Sequence, residues 1–208
     1  MTDTIAWLNL ALLVGAMALT LLFYVLSVRP AALERKIGPG AYRRCARYRL
    51  VASVMMFLEM AGYVIYFFYP LPIGLPLAFP WPWWLSALVG TAIAIPSGYL
   101  MIRGVRDAGE EALVPKKEHT LYGGIYERVR HPQAWEAVLW LTLAFWLHSP
   151  FLVLFSLLWL PVEYAMVMAE EGDLVLRYGQ AYEDYRRRTP AFLPRRAKIE
   201  TPGKAGSR

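Results

Sequence analysis

A chain of 208 residues is long enough for one domain of moderate size or two small ones. Hydrophobic residues make up 57% of it and charged residues only 18%, whereas a soluble domain has about 45–50% and about 25%. This composition excludes a disordered chain and disfavours a water-soluble globule. A single cysteine, Cys45, excludes an internal disulfide framework and a cysteine-based zinc site, and three histidines leave little for a histidine cluster. We therefore expect no bound metal.

Long apolar runs dominate the chain, and their lengths predict membrane-spanning helices, which need about 20 apolar residues each. A soluble bundle would need polar faces repeating every 3.6 residues, and these runs lack them. The run 133–168 is too long for one span and is interrupted at His148-Ser149-Pro150, so we expect two helices joined by a tight turn. The sequence predicts an all-α polytopic membrane bundle of about five spans, at 5–28, 50–69, 83–102, 133–148 and 150–168.

The basic residues are distributed unevenly along the chain. All 22 Lys and Arg lie in three segments, at 29–49, 103–130 and 177–208, while the loop 69–83 carries none. Cytoplasmic loops carry an excess of Lys and Arg, so five spans place these segments in the cytoplasm and the N-terminus outside. The net charge of +6 then reflects topology and contact with anionic headgroups rather than binding of nucleic acid.

The cytoplasmic segments are also the only ones long enough to hold a site. Leu174, Tyr178, Tyr182 and Tyr185 follow one another at helical spacing, which predicts an amphipathic helix that packs on the membrane surface and can cover a site. We expect a single integral membrane domain at 1–196, with its site within 116–194. A disordered tail is expected at 197–208.

Paired glycines and a basic turn precede the predicted fourth span. Gly123 and Gly124 allow a tight turn with close approach of the backbone to a ligand. Arg130 and His131 come directly before Pro132, which suits the first turn of a helix, where free N–H groups favour an anion. The alternative interpretation is an ordinary basic boundary of a membrane helix, with the arginine reaching lipid headgroups.

Five acidic residues are not expected in a membrane helical bundle that has no functional site. Glu170 and Glu171 lie at the end of the last predicted span, where acids oppose the helix dipole. Glu59, Glu136 and Glu163 fall inside predicted spans, where an ionisable group is costly and indicates a site by default. The alternative for each is pairing with an arginine or with a polar group of another helix.

The ordered set of these motifs resembles a known group of enzymes. It consists of Gly124-Ile125-Tyr126, Arg130-His131-Pro132, Glu170-Glu171, Tyr178-Gly179-Gln180-Ala181-Tyr182-Glu183-Asp184-Tyr185, Thr189-Pro190 and Leu193-Pro194. Over about residues 118–194 the chain resembles the isoprenylcysteine carboxyl methyltransferase and phospholipid methyltransferase superfamily of integral membrane enzymes. The tail pattern is closer to the isoprenylcysteine branch.

The resemblance implies a multi-span helical bundle that binds S-adenosyl-L-methionine on its cytoplasmic side. It implies a cofactor-binding set of His119, Leu121, Gly124, Tyr126, Arg130, His131, Pro132, Glu170 and Glu171. Within this set we expect Arg130 and Glu170 to be catalytic. Either acid of the pair would hold the cofactor's ammonium group, Arg130 its carboxylate, and His131 would orient the loop.

The sequence departs from the superfamily pattern just after Pro132. The position usually held by tyrosine is Ala134, and an aromatic residue follows at Trp135. One position along a helix rotates a side chain by about 100°, so Trp135 cannot replace the missing ring. Glu136 occupies the place of a small residue. We expect Glu59, Trp135, Glu136 and Glu163 to face the methyl acceptor.

The expected function is a membrane methyltransferase acting on a lipophilic acceptor and similar to isoprenylcysteine carboxyl methyltransferase. A phospholipid or small-amine N-methyltransferase is the alternative. The intramembrane acids favour an amine or neutral acceptor, whereas the tail resemblance favours a carboxylate or thiol, and both remain open. Two other classes are a sterol reductase on a similar scaffold, whose phosphate-rich dinucleotide the paired acids would repel, and a non-catalytic membrane assembly factor.

Overall fold

The computed structural model describes residues 2–112, 114–115, 117 and 123–193. Within these ranges the chain is helical, without a strand, which confirms the all-α prediction. Eight α-helices follow one another: α1 Thr2–Ser27, α2 Pro30–Ile37, α3 Ala41–Phe68, α4 Trp83–Ala108, α5 Glu136–Trp146, α6 Pro150–Ser156, α7 Trp159–Tyr178 and α8 Gln180–Arg188. Single turns of 3-10 helix lie at Gly38–Gly40, Gly109–Ala112, Gly124–Glu127 and Pro132–Trp135.

Four helical stretches are long and apolar enough to cross a membrane, at Thr2–Ser27, Pro30–Phe68, Trp83–Ala112 and Pro150–Tyr178. They support the prediction of a multi-pass membrane protein. The predicted fourth span corresponds to α5, which has 11 residues. At about 1.5 Å per residue it rises about 16 Å, roughly half of a bilayer core. The count of five spans is therefore not confirmed, and the orientation of the termini stays a prediction.

Two spans extend beyond the apolar runs that predicted them. Helix α3 begins at Ala41 rather than at residue 50, and α7 continues ten residues past the predicted end at 168. Both extensions carry charged residues. Such residues suit a helix that continues beyond the bilayer into water. Helix α7 ends at Gly179, whose φ of 56° is a left-handed conformation that favours glycine.

The bundle is assembled from two closely packed helix pairs that meet at α7. Helix α1 packs along α3, and α4 packs along α5, while α7 contacts α1, α2 and α5. The Asn9 side-chain amide donates to the Gly62 carbonyl at 2.9 Å, which joins α1 to α3. Asp173 of α7 accepts from the backbone N–H groups of Ala31 and Ala32 at 3.0 and 2.8 Å. These bonds cap α2 and fasten it to α7.

The predicted tight turn before the last span is present. His148 has a φ of 56°, and Ser149 caps α6 by accepting from the Leu152 N–H at 3.3 Å. Helix α6 then joins α7 through residues 157–158. The predicted single amphipathic helix is interrupted at Gly179, which separates the end of α7 from α8, so that prediction is not confirmed. The tail expected at 197–208 lies outside the described residues.

Candidate active site

The Arg130–His131 turn is held by a buried carboxylate from the last span. Glu171 Oε1 accepts from Arg130 Nε at 2.9 Å and lies 2.8 Å from Arg130 Nη2. The same oxygen lies 2.9 Å from His131 Nε2. All three side chains are largely buried, so this pairing is a structural corner between the turn and α7. We call Arg130, His131, Glu170 and Glu171 the acid–base corner.

His131 links the two acids of the pair. Its Nδ1 lies 3.6 Å from Glu170 Oε2, on the opposite side of the ring from Glu171. Burial by itself disfavours the charged imidazole, but the hydrogen bonds to Glu170 and Glu171 outweigh it and raise the pKa of His131. In its protonated form the ring neutralises part of the acidic pair.

The segment after α8 closes over this corner through its backbone. The N–H groups of Arg130 and His131 donate to the carbonyls of Pro190 and Ala191 at 2.9 and 3.0 Å. Arg130 Nη1 also donates to the carbonyls of Arg186, at 2.9 Å, and Thr189. Every nitrogen of the Arg130 guanidinium is therefore bound within the protein. Arg130 fixes the chain around the site rather than presenting a free cation.

Gly124 allows the preceding turn to approach α4. Its φ is +66°, and an added Cβ atom would clash with the Asp107 carboxylate. That carboxylate accepts from the Ile125 N–H at 2.8 Å. Tyr126 then reaches the Gly104 carbonyl with its hydroxyl at 3.2 Å. Gly124 thus allows a close approach between two parts of the chain, whereas an added Cβ atom at Gly123 would meet no clash.

A cavity of about 500 Å³ begins at the acid–base corner and continues between the spans. Ligand sites of small molecules usually measure about 300–1,000 Å³. Its polar part is lined by Arg49, Glu111, Arg130, His131, Asp173 and Arg177, and by the aromatic side chains of Tyr126, Tyr178, Tyr182 and Tyr185. Its deeper part is lined by Met56, Phe57, Met60, Met101, Trp140 and Met166, and by the acids Glu136 and Glu163.

One face of α7 forms a continuous wall of this cavity. Its lining residues recur at helical spacing, so they stand on one side of the helix: Glu163, Met166, Val167, Glu170, Asp173, Leu174, Arg177 and Tyr178. Glu170 lies two turns from Glu163, which at about 1.5 Å per residue separates them by about 10 Å. The same helix face therefore carries one acid to the polar end of the cavity and another to its deeper part.

Two arginines that the sequence interpretation did not select also line the cavity. Arg49 Nη1 donates to the carbonyls of Glu111 and Ala112 at 2.9 and 3.0 Å. Arg49 Nε is buried and has no hydrogen-bond partner in the described part of the chain. Arg177 Nη1 and Nη2 both donate to Glu111 Oε1 at 3.1 Å. In the sequence both arginines look like ordinary basic ends of spans, and no motif marks them.

The predicted site residues fall into three groups. Those that line the cavity are Tyr126, Arg130, His131, Pro132, Glu170, Glu136 and Glu163. Those that lie near it without lining it are Gly124, Glu171, Glu59 and Trp135. His119 and Leu121 lie outside the described residues. The structure thus brings the Arg-His-Pro turn, Glu170 and two of the expected acceptor-facing acids to one cavity.

Glu59 and Trp135 have partners elsewhere in the fold. Glu59 is fully buried and accepts from Trp159 Nε1 at 2.8 Å, so it pairs with a polar group of another helix. Trp135 donates its indole N–H to the Phe192 carbonyl at 2.9 Å. The indole therefore joins the turn to the segment after α8, and Ala134 beside it lines the cavity.

Comparison with known proteins gives one informative match. The chain is similar to methanethiol S-methyltransferase 2 of Bradyrhizobium diazoefficiens, with 29% identity over 126 residues. The similar region covers 55% of this chain and 44% of the relative, so the chain spans less than half of that relative's length. No protein-family model matches the chain, and no solved structure matches it significantly. This similarity supports the methyltransferase activity expected from the sequence, while the isoprenylcysteine-specific part of the expectation stays a prediction.

Proposed function

We propose that the protein is an S-adenosyl-L-methionine-dependent membrane methyltransferase that acts on a lipophilic acceptor, in the manner of isoprenylcysteine carboxyl methyltransferases. The observation that carries the proposal is one cavity with two chemically different parts. Its polar part presents charges of both signs, and its deeper part lies among apolar spans. In such a cavity a charged methyl donor can enter from water and an apolar acceptor from the lipid. Neither has to cross the other's solvent before they meet.

The polar part fits the charge pattern of the proposed cofactor. The methionine moiety of that cofactor carries an ammonium and a carboxylate group, so its binding site needs an acid and a base. Glu170 lines the cavity with a side chain that is 32% exposed, compared with 6% for Glu171, which faces Arg130 and His131. We therefore assign the ammonium to Glu170. The carboxylate is assigned to Arg49, whose buried Nε has no partner among the described residues.

The adenosyl part has room among aromatic side chains. Tyr126, Tyr178, Tyr182 and Tyr185 line the same end of the cavity. The Tyr182 hydroxyl is buried and makes no hydrogen bond within the described ranges, so it can bind a polar atom of a ligand. This end of the cavity thus combines flat apolar surfaces with a donor that the protein itself leaves unused.

When bound, S-adenosyl-L-methionine supplies a methyl group on a positively charged sulfur. The chain's own residues then have three tasks: to bind, to align and to exclude water. Alignment of two reactants alone can contribute about 7–11 kcal/mol in favourable cases. Arg130 and His131 contribute to this alignment indirectly, because they hold the turn and Glu170 in place. The segment 189–192 covers the corner and limits the access of water to it.

The acceptor reaches the cavity from the lipid, between α3 and α4. These helices are not among the pairs that pack closely. Met56, Phe57 and Met60 of α3 and Met101 of α4 line the cavity, and Phe57 is 67% exposed on the lipid-facing side. The gap between the two helices is apolar, which suits a molecule already dissolved in the bilayer. We call it the α3–α4 gap.

A small thiol acceptor is the second candidate. The similarity to methanethiol S-methyltransferase 2 favours it, because that relative is named for S-methylation of methanethiol. An apolar thiol would use the same cavity and the same α3–α4 gap. The two candidates differ in the acceptor and share the cofactor site.

The proposal is tested with purified protein in detergent or lipid nanodiscs. We expect calorimetry to show binding of S-adenosyl-L-methionine, and methyl-labelled cofactor to transfer label into a membrane lipid extract. The labelled product identifies the acceptor. A protein that binds no cofactor, or that binds it and labels nothing in lipid extracts or with methanethiol, would contradict the enzyme assignment.

A further inference from the structure

Buried aromatic side chains close the deeper end of the cavity. On α5, Trp140 is the lining residue furthest from the acid–base corner. On α7 the lining ends at Glu163, and Trp159 lies one helical turn further from the corner on the same face. On α3 the lining ends at Met60, and Tyr63 lies one turn further. All three aromatic side chains are buried, so the three helices line the cavity only as far as this level.

These three rings pack directly against one another. Trp159 is stacked on Trp140, with ring centroids 5.1 Å apart and an angle of 7° between the ring planes. Tyr63 also lies against Trp140, at a centroid distance of 5.1 Å and an angle of 44°. We call Tyr63, Trp140 and Trp159 the aromatic floor. Because protein interiors are close-packed, a ligand in the cavity cannot pass this floor without displacing a ring.

Hydrogen bonds behind the cavity hold the aromatic floor in place. Glu59 Oε1 accepts from Trp159 Nε1 at 2.8 Å. Ser156 Oγ lies 3.0 Å from the Tyr63 hydroxyl and 3.1 Å from the Trp140 carbonyl, and so joins these two residues. Trp140 Nε1 makes no hydrogen bond within the described ranges, so the orientation of this ring depends on the rings packed against it. Glu59 therefore acts on the cavity through Trp159 and then through Trp140.

The walls beside the floor are of a different kind. Four methionines line the deeper part of the cavity: Met56, Met60, Met101 and Met166. Methionine side chains are unbranched and flexible, so they can adapt to bound groups of different width. The rings of the floor are fixed by their mutual packing and by the hydrogen bonds behind them. The floor therefore limits the depth of a bound group more strictly than the walls limit its width.

We propose that Trp140 sets the upper size of the apolar group that the methyl acceptor places in the deeper part of the cavity. We assign Glu59 as a positioning residue, which keeps the Trp140 ring in place through Trp159. The inference rests on the proposed methyltransferase function and adds a size limit to its substrate class. Glu170, assigned to the cofactor, and Glu163, where the lining ends, are about 10 Å apart along α7. An apolar group enclosed in the deeper part has about this length available before it meets the aromatic floor.

The test measures how straight-chain alcohols, from ethanol to dodecanol, inhibit methyl transfer by the purified protein in detergent. Methyl-labelled cofactor is supplied with a membrane lipid extract or with methanethiol as the acceptor, and each alcohol competes for the deeper part of the cavity. We expect the inhibition constant of the wild type to fall with each added carbon and to stop falling at the chain length that reaches Trp140. Partitioning of the alcohols into detergent is the same for every variant, so differences between variants report the cavity.

Variants of the floor and of its support should change this limit differently. Trp140→Phe and Trp140→Leu should move it to longer chains, by about one and about two carbon atoms, because a smaller side chain leaves space at the floor. Glu59→Leu should move it in the same direction, whereas Glu59→Gln keeps an acceptor for Trp159 Nε1 and should retain the wild-type limit. Trp84→Leu, the same change at an exposed ring of α4, is the matched control. Calorimetry should show an affinity for S-adenosyl-L-methionine within about twofold of the wild type, which also shows that each variant is folded.

The outcomes separate this inference from the function on which it rests. Three results overturn the role of the floor: no inhibition by any alcohol, inhibition that strengthens up to dodecanol in the wild type, or an unchanged limit in Trp140→Leu. Equal shifts in Glu59→Gln and Glu59→Leu overturn the positioning role of the hydrogen bond. Loss of cofactor binding in both Trp140 variants makes this ring part of the scaffold and also overturns the size limit. A wild-type protein that binds no cofactor, or that labels neither the extract nor methanethiol, refutes the methyltransferase function itself, and the inference falls with it.

Discussion

Glu171 Oε1 lies 2.9 Å from both Arg130 Nε and His131 Nε2, so one carboxylate oxygen holds two consecutive residues of the turn before α5. The turn and α7 are far apart in sequence, and this contact fixes their relative position. Glu170, the neighbouring acid, is thereby left to face the cavity. The different surroundings of the two acids lead to different expectations for their variants.

Replacement of Glu171 by alanine should destabilise the fold. It leaves the buried Arg130 guanidinium without its carboxylate, a change that costs about 3–5 kcal/mol at buried pairs. We expect the melting temperature in detergent to fall by on the order of 10 °C. Glu183→Ala is the control, because Glu183 pairs with Arg186 at the surface and should have a small effect. Equal melting temperatures for the two variants would show that the corner does not stabilise the protein.

Replacement of Glu170 by glutamine should weaken cofactor binding instead. Glu170 lines the cavity and is assigned to the ammonium of the cofactor. A hydrogen bond to a charged group is worth about 1.5–3 kcal/mol, which corresponds to about a tenfold to 100-fold increase in Kd. Calorimetry with S-adenosyl-L-methionine measures this increase in Kd, and Glu183→Gln serves as the reference variant. Unchanged affinity would refute the assigned role.

His131 gives the fold a dependence on pH. Its pKa in the folded protein is raised by Glu170 and Glu171 above the value of about 6.5 expected in the unfolded chain. The protonated ring therefore contributes stability that is complete below pH about 6.5 and is lost as pH rises through the folded-state pKa. We expect the melting temperature to fall over this interval in the wild type and to fall less in His131→Gln. Parallel curves for the two proteins would contradict this contribution.

Gly124 and Gly123 offer a matched pair of substitutions. Alanine at position 124 meets a φ of +66° and the Asp107 carboxylate, whereas at position 123 the nearest atom, Glu127 Oε1, lies 3.8 Å from an added Cβ. A strained left-handed residue costs about 1–3 kcal/mol. Thermal unfolding should show a lower melting temperature for Gly124→Ala and little change for Gly123→Ala. Similar effects at both positions would argue against the close approach to α4.

A substitution at Ala134 should alter the range of methylated acceptors without altering the affinity for the cofactor. It is buried and lines the cavity two residues before Glu136. Tyrosine at this position is the residue usual in the superfamily that the sequence resembles, and it would fill part of the cavity. We expect Ala134→Tyr to change the range of methylated acceptors while Kd for S-adenosyl-L-methionine stays within about threefold, as labelling and calorimetry would show. A larger loss of cofactor affinity with an unchanged acceptor range would place residue 134 at the cofactor instead.

The apolar spans were predictable because their length and uniform hydrophobicity are properties of contiguous sequence. The proximity of the Arg-His-Pro turn to the acid pair was implied by the resemblance of these motifs to a known superfamily. The binding partner of each charged side chain could not be predicted. Arg130, for example, is bound to Glu171 and to backbone carbonyls that no local sequence pattern identifies. Arg49 was overlooked for a related reason, because an arginine at the edge of a span fits the topology rule equally well. For Glu59, pairing with another helix was one of two alternatives, and Trp159 is that partner.

The α3–α4 gap has a consequence for how the surrounding lipid acts on the protein. These two helices are not closely packed against each other, so the opening that we assign to the acceptor would be bordered by acyl chains. Tightly ordered or thicker lipids would then press on this opening. Turnover should therefore follow the fluidity of the bilayer, even where the cofactor's affinity does not.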